Sequence, residues 1–232
     1  RNWLRRAVLG CARAVVVPSL RLLTIARDEW RLGPRALHLP NGVDCSRFQP
    51  APHRTGVPVI GTVGGLRGEK DHGNLLRAAA AMQTAAVVQL VGDGPERTRL
   101  QALAHELGIA ARVSFVGAVR DTAPCYREFD VFALSSRTEQ MPLSVLEAMA
   151  SGLPIASTDV GDVKVMLPES CRSGIVPPQD PAALARALDA LLGDAARRQR
   201  EGAANRAHCA AVYDHGQCLD RFLRVYRDAA GR

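Results

Sequence analysis

Between Pro58 and Pro178, short apolar runs alternate with stretches of helical period. The runs are PVIGTVG (58–64), AVVQLVGDG (86–94), RVSFVG (112–117), DVFALSS (130–136), PIASTD (154–159) and GIVPP (174–178). They are almost continuously apolar and bounded by Gly, Pro or Asp, which predicts strands covered on both faces. HGNLLRAAAAMQ (72–83), PERTRLQALAHELG (95–108), APCYREF (123–129), PLSVLEAMASG (142–152) and GDVKVML (161–167) lie between them and read as helices. Pro95 and Pro142 suit a first helical turn, and Gly108 and Gly152 suit helix ends. Further helices are predicted over 181–192, 195–212 and 214–230.

This alternation implies βαβ units and a parallel sheet. The fold class is therefore α/β, with a doubly wound sheet over 58–212. In such folds ligands bind beyond the carboxyl ends of the strands. The loops at 64–71, 92–95, 117–122, 135–142 and 159–162 then share one rim. Residues 1–50 read as a separate piece: a strand in ARAVVVPS, a helix in LRLLTIARDEW, and a strand and turn in RALHLPNGVDCSRF. Residues 51–57, within QPAPHRTGVP, read as a linker, and 213–232 as a final helix.

Composition narrows the partners. With 30 basic and 23 acidic residues the formal charge is +7, which suits an anionic partner such as a nucleotide phosphate or a lipid leaflet. Aromatic residues make up 4% of the chain, too few for a base-stacking surface, so no nucleic-acid partner is expected. The six cysteines form no Cys-x-x-Cys pair, which fits reduced thiols in a cytoplasmic protein rather than a disulfide framework or a zinc site. His-x-x-x-His and Asp-x-Asp are both absent, and no apolar run reaches about 18 residues. The chain lacks an initial Met and starts as if mid-helix, so a fragment of a longer protein is expected.

Two regions carry candidate chemistry. In GTVGGLRGEKDHGNLL the glycines, Gly64 and Gly65 among them, permit close backbone approach, and Arg67 and Lys70 bring positive charge to a helix start. The spacing matches neither a Walker A loop nor a dinucleotide fingerprint, and such a turn is more often structural. In SSRTEQMPLSVLEAMASGLPIASTDVG, Pro142 at the first helical position leaves free amides from Leu143 onward. Glu139 then stands on the rim and Glu147 in the second helical turn. Taken alone, Glu147 reads as a solvated helix glutamate and Glu139 as a turn residue. Together at the rim of a doubly wound sheet they gain a purpose: a carboxylate a turn and a half into such a helix can accept from two ribose hydroxyls while the helix end holds phosphates.

NGVD (41–44), EKD, VGDGPER, VSFVG and, above all, Glu–seven residues–Glu followed by AMASGLPIASTDVG resemble the C-terminal half of a retaining glycosyltransferase of family 4. That resemblance, over about residues 10–230, implies a GT-B architecture of two facing Rossmann-like domains. Residues 1–50 would be the tail of the N-terminal acceptor domain, and the final helix would pack back toward it. The resemblance implies that Lys70 and Arg67 contact the diphosphate of a UDP- or GDP-linked sugar and that Glu147 holds the ribose. Glu139, with the backbone of Gln140, Met141, Pro142 and Leu143, would face sugar and phosphate. Gly117, Ala118 and Val119 would lie against the base. Neither a metal nor another cofactor is implied, and the acceptor would be a glycan or lipid-linked. The setting would be bacterial surface polysaccharide or glycoconjugate synthesis, in the cytoplasm or peripherally on the inner face of the membrane.

Three departures stand out. Gly65 occupies the place where the family usually has an arginine, Arg67 follows two residues later, and Lys164 and Val165 stand where Pro and Glu are common. The acceptor domain that the resemblance implies would be nearly all missing. Those departures feed a second reading, a non-catalytic module that holds a nucleotide or a partner.

Overall fold

The computed structural model describes residues 2–52 and 55–231. Arg1, His53, Arg54 and Arg232, which fall in the expected tail, linker and final helix, lie outside the described residues. The order begins with α1 (Asn2–Leu9), β1 (Val15–Val17), α2 (Leu20–Asp28) and β2 (Ala36–His38). It continues with β3 (Val59–Val63), α3 (His72–Ala81), β4 (Val87–Val91), α4 (Arg97–Glu106), β5 (Val113–Gly117) and α5 (Ala123–Tyr126). Then come β6 (Val131–Leu134), α6 (Leu143–Ala150), β7 (Ile155–Thr158), α7 (Val163–Met166), β8 (Ile175–Val176), α8 (Pro181–Leu192), α9 (Ala195–Val212) and α10 (His215–Ala230).

The main sheet runs β5-β4-β3-β6-β7-β8, every neighbouring pair parallel. The expected runs are strands, each shorter by a residue or more at its ends. Both faces are covered, which explains their lack of alternation. On one face α3, α4 and α8 bury Leu75, Leu76, Leu100, Leu184 and Leu188 against Ile60, Val88, Leu90 and Val131. On the other, α5, α6 and α9 pack Tyr126, Leu146, Met149 and Cys209 around Phe132 and Ile155. Leu146 is fully buried; its truncation to Ala removes about 2–5 kcal/mol of packing.

β1 and β2 form their own two-stranded parallel sheet around a small core of Val17, Ala26, Trp30, Leu32 and Ala36. It is tied to the large domain at several points. Val43 bridges Asp214, and the side chain of Asp162 accepts from the Leu20 amide at 2.6 Å and the Arg21 amide at 3.3 Å. A buried carboxylate from the large domain therefore caps α2. All six cysteines are free thiols, and Cys45, Cys171, Cys209 and Cys218 are buried. Leu219 and Leu223 of α10 are exposed, as are Trp3 and Val8 of α1. Among the described residues no helix is long and apolar enough to cross a membrane.

The sheet order puts a switch point between β3 and β6. The chain leaves β3 toward β4 on one side and leaves β6 toward β7 on the other. The loops that follow β3 and β6 therefore diverge around a crevice, where ligands bind in this class of fold.

Candidate functional site

The loop after β3 is held by its backbone. Gly64 N–H donates to Val91 O at 2.9 Å and Leu66 N–H to Asp93 O at 3.0 Å, while buried Leu66 accepts from Glu96 N–H at 3.0 Å. The fit tolerates no side chain at Gly92, where a Cβ would stand 2.0 Å from Gly64 O and φ is +139°. From this anchored loop a short 3-10 turn, Gly68–Lys70, leads to Asp71 at φ 44°, and α3 starts behind it.

The turn delivers Lys70 to the loop after β6. Lys70 Nζ donates to Glu139 Oε1 at 2.6 Å, and Ser136 Oγ donates to the same oxygen at 2.7 Å. The lysine side chain is 24% exposed and the glutamate 10%, so this pair is largely desolvated, unlike a surface ion pair. Two further bonds fasten the loops across the switch point: Ser135 Oγ to Lys70 O at 3.1 Å, and Arg137 N–H to Glu69 O at 2.8 Å. Lys70 and Glu139, 69 residues apart, thus meet at one point.

α6 opens on the same crevice, with one correction to the sequence reading. Pro142 is the N-cap, with extended backbone (φ −69°, ψ 122°), and Leu143 is the first helical residue. The proline ring fixes φ but leaves ψ free, and here ψ keeps it outside the helix. Val145 N–H turns back to Pro142 O; the amides of Leu143 and Ser144 find no backbone or side-chain acceptor among the described residues. One and a half turns on, Glu147 is half-buried. The Tyr126 hydroxyl donates to Glu147 Oε2 at 2.7 Å and lies 3.2 Å from Ser144 O. Burial raises the Glu147 pKa; hydrogen bonds from Tyr126 and Thr122, and the charge of Arg47, offset part of that rise. A solvated helix glutamate is therefore the wrong description. This carboxylate is desolvated and aimed at the loop before α5.

That loop follows Gly117, which turns at φ +88° and accepts from Gly92 N–H at 2.8 Å. Ala118 and Val119 beyond it are exposed. The turn, the glycine loop and the start of α6 surround the crevice from three strands.

Two expected residues also anchor their loop. The Gln140 carbonyl accepts from Asp162 N–H at 2.9 Å, and its side chain accepts from Ser19 Oγ at 2.8 Å. Met141 is buried, its carbonyl accepting from Asn41 Nδ2 at 3.3 Å. Both fasten the loop to residues 19–41 and to the 160s. Gly161 makes the latter approach feasible, since a Cβ there would lie 2.5 Å from Gln140 O.

Gly65 and Arg67 are explained together. A Cβ on Gly65 would come 3.0 Å from Arg67 Nε and 3.4 Å from Nη2. The Arg67 guanidinium therefore lies close against the open side of Gly65, with its Nε 3.6 Å from Glu69 Oε1. Tyr126, Thr122, Ser136 and Asp162 were missed in the sequence. Tyr126 alone had a signal, as one of three tyrosines, placed beside the 117–122 rim loop.

Residues 57–194 match the family model of the glycosyl transferases group 1. The chain belongs to that family. It is 33% identical over 184 residues to the 2-deoxystreptamine N-acetyl-D-glucosaminyltransferase of Streptomyces fradiae, covering 76% of this chain and 44% of that protein. It is 32% identical over 229 residues to the phosphatidyl-myo-inositol mannosyltransferase of Mycobacterium leprae, covering 93% and 60%. The chain thus spans about half the length of curated relatives it matches. Among solved structures, sucrose-phosphate synthase from Thermosynechococcus elongatus superposes with a TM-score of 0.90 at 26% identity, covering 99% of this chain and 61% of that one. Anabaena HepE in complex with UDP-glucose superposes at 0.86 with 18% identity, covering 98% and 68%. The fold is that of the C-terminal half of a GT-B glycosyltransferase.

Proposed function

We propose that this chain is the donor-binding half of a glycosyltransferase that moves a sugar from a UDP- or GDP-linked donor to an acceptor hydroxyl with retention of configuration. The observation that carries the reading is the meeting of Lys70 with Glu139 at the switch point, with Glu147 and the free amides of α6 beside it. Lys70, Arg67 and the Leu143 and Ser144 amides take the diphosphate. Glu147 accepts from the ribose hydroxyls, and the turn from Gly117 to Val119 lies against the base. The arriving diphosphate draws Lys70 from Glu139, which frees that carboxylate for a sugar hydroxyl.

The leaving group is a nucleoside diphosphate, so the charge that develops in the transition state falls on its phosphates. Fixed cations and helix amides stabilise that charge without reorganising, and the reading calls on no metal. If the acceptor hydroxyl attacks from the leaving-group face, no protein nucleophile is required. The names of the relatives and the UDP-glucose complex of HepE support this reading. A glycan or lipid-linked acceptor, a role in bacterial surface glycoconjugates and a cytoplasmic or peripheral-membrane setting belong to the same proposal.

Calorimetric titration with UDP and with GDP tests it. Saturable binding of one of them is expected, and failure of both at millimolar concentration removes the donor-site reading. Binding without donor turnover, in a protein that joins this chain to the remaining length its relatives have, would favour the non-catalytic module.

A further inference from the structure

The loop that carries Glu139 is also where the small two-stranded unit is fastened to the large domain. Ser19 Oγ donates to Gln140 Oε1 at 2.8 Å, and Asn41 Nδ2 donates to Met141 O at 3.3 Å. The amides of Leu20 and Arg21 donate to the two carboxylate oxygens of Asp162, at 2.6 and 3.3 Å.

Asp162 closes these contacts into a ring. Its own N–H donates to Gln140 O at 2.9 Å. One residue thus holds the start of α2 by its side chain and the donor loop by its backbone. Ser19, next to Leu20 in the chain, grips the same glutamine from the other side. Ser19 is fully buried and Asp162 is 6% exposed. In such surroundings a group that loses its partner pays the full cost of its own desolvation.

The ring bears directly on Glu139. Gly161 packs so closely that a Cβ on it would lie 2.7 Å from Glu139 O and 2.5 Å from Gln140 O. The Asp162 carbonyl accepts from the Val165 and Met166 amides at 2.9 Å each, and buried Val163 and Met166 seat that turn in the core. The brace is therefore fixed on the large-domain side. Glu139 precedes Gln140 and takes Lys70 and Ser136 on one oxygen. Pro142, two residues beyond Gln140, caps α6. Where this loop stands decides where the Glu139 carboxylate and the Leu143 and Ser144 amides stand.

We propose that Asp162 is a positioning residue for the donor site. By clasping the start of α2 it fixes the loop 139–142, and so couples the seating of residues 15–41 to nucleotide binding. This inference rests on the donor reading above.

The test compares Asp162→Ala, Asp162→Asn and a control, Asp194→Ala, in the 232-residue chain. Asp194 is the N-cap of α9, accepting from Arg197 N–H at 2.8 Å. It follows α8, which runs back from the carboxyl end of β8, so it stands at the end of the sheet away from the crevice. Its loss removes a helix cap of the same kind without touching the ring. Two quantities are read: hydrogen–deuterium exchange over residues 135–144, and affinity for UDP and GDP by calorimetric titration. Asp162→Ala should raise the exchange about tenfold and weaken nucleotide binding about tenfold. Asp162→Asn keeps an acceptor for the Leu20 amide and should restore both to within about threefold. Asp194→Ala should change neither by more than about twofold. Circular dichroism verifies the fold of each variant. If Asp162→Ala does not fold, Ser19→Ala, which opens the grip on Gln140 and leaves the carboxylate in place, is read in the same two ways. Unchanged exchange, unchanged affinity where exchange has risen, or equal losses in Asp194→Ala overturns the proposal. A wild-type chain that bound neither nucleotide would refute the donor reading, while the exchange data would still decide whether Asp162 holds the loop.

Discussion

Replacing Glu147 with Ala separates a binding role from a structural one. The carboxylate accepts from Tyr126, and the reading assigns it the ribose hydroxyls. Losing those charge-assisted bonds should weaken UDP or GDP binding by about 1–3 kcal/mol, roughly 5- to 150-fold. Stability should move much less. The Tyr126 hydroxyl keeps Ser144 O as an acceptor at 3.2 Å, and the variant no longer buries a carboxylate whose pKa burial already raises. The two effects oppose, so the unfolding free energy is expected to change by less than about 1 kcal/mol. Calorimetric titration gives the first quantity and the urea midpoint the second. The raised pKa adds a pH signature: nucleotide affinity should begin to fall at a pH above that of an ordinary glutamate near 4.5, and Glu147→Gln should lack that fall. Unchanged affinity in a folded Glu147→Ala protein refutes the ribose role. A stability loss of several kcal/mol would mean that the carboxylate is chiefly structural.

Three further outcomes are expected. Lys70→Ala leaves the largely buried Glu139 with Ser136 as its remaining partner, so it should lower both stability and donor turnover, the latter about 10²–10³-fold in an enzyme that carries the acceptor half; Glu139→Ala added on top should cost less stability than the two single losses summed, read by a double-mutant cycle in urea. Arg67→Ala should weaken UDP binding about tenfold, whereas Gly65→Arg should change it by less, because the Arg67 guanidinium already lies over residue 65; the opposite ranking, by titration, refutes the substitution of one arginine for the other. The His72 pKa near 4 in the folded chain, against 6.5 unfolded, means that the unfolded state binds the extra proton, so stability should drop by up to about 3 kcal/mol as pH falls from 6.5 to 4; His72→Gln should flatten that part of the urea-stability profile.

The sheet was legible because its strands are buried on both faces, so each reads as an unbroken apolar run between turn residues. Helix positions followed from period, but Pro95, expected in a first helical turn, precedes the N-cap Glu96 of α4, which runs Arg97–Glu106. Pro142 misled by one position because proline constrains φ alone, and ψ is set by the packing of the loop. Glu139 and Lys70 could be placed on one rim from topology, but their contact could not, since it depends on a 3-10 turn and on the αL conformation of Asp71. The bonds that hold Gln140 and Met141 in the fold could not be read from the sequence, since the resemblance speaks of a backbone stretch as a whole. Their partners here, Ser19, Asn41 and Asp162, lie 121 and 100 residues away for the first two and beyond the next strand for the third.

Gly65 shows why a motif read position by position can misjudge a site. A linear comparison registers an arginine replaced by glycine and a separate, unrelated arginine two places on. In three dimensions the absence of a side chain at residue 65 is what gives the Arg67 guanidinium room to fold back, and a Cβ there would meet its Nε at 3.0 Å. In the proposed donor site, Arg67 would bring to the rim the positive charge that an arginine at residue 65 would otherwise supply. The same loop carries both Lys70 and Arg67, so a single turn, held by Leu66 and by the Gly64–Gly92 contact, sets the positions of both cations that the donor reading calls on.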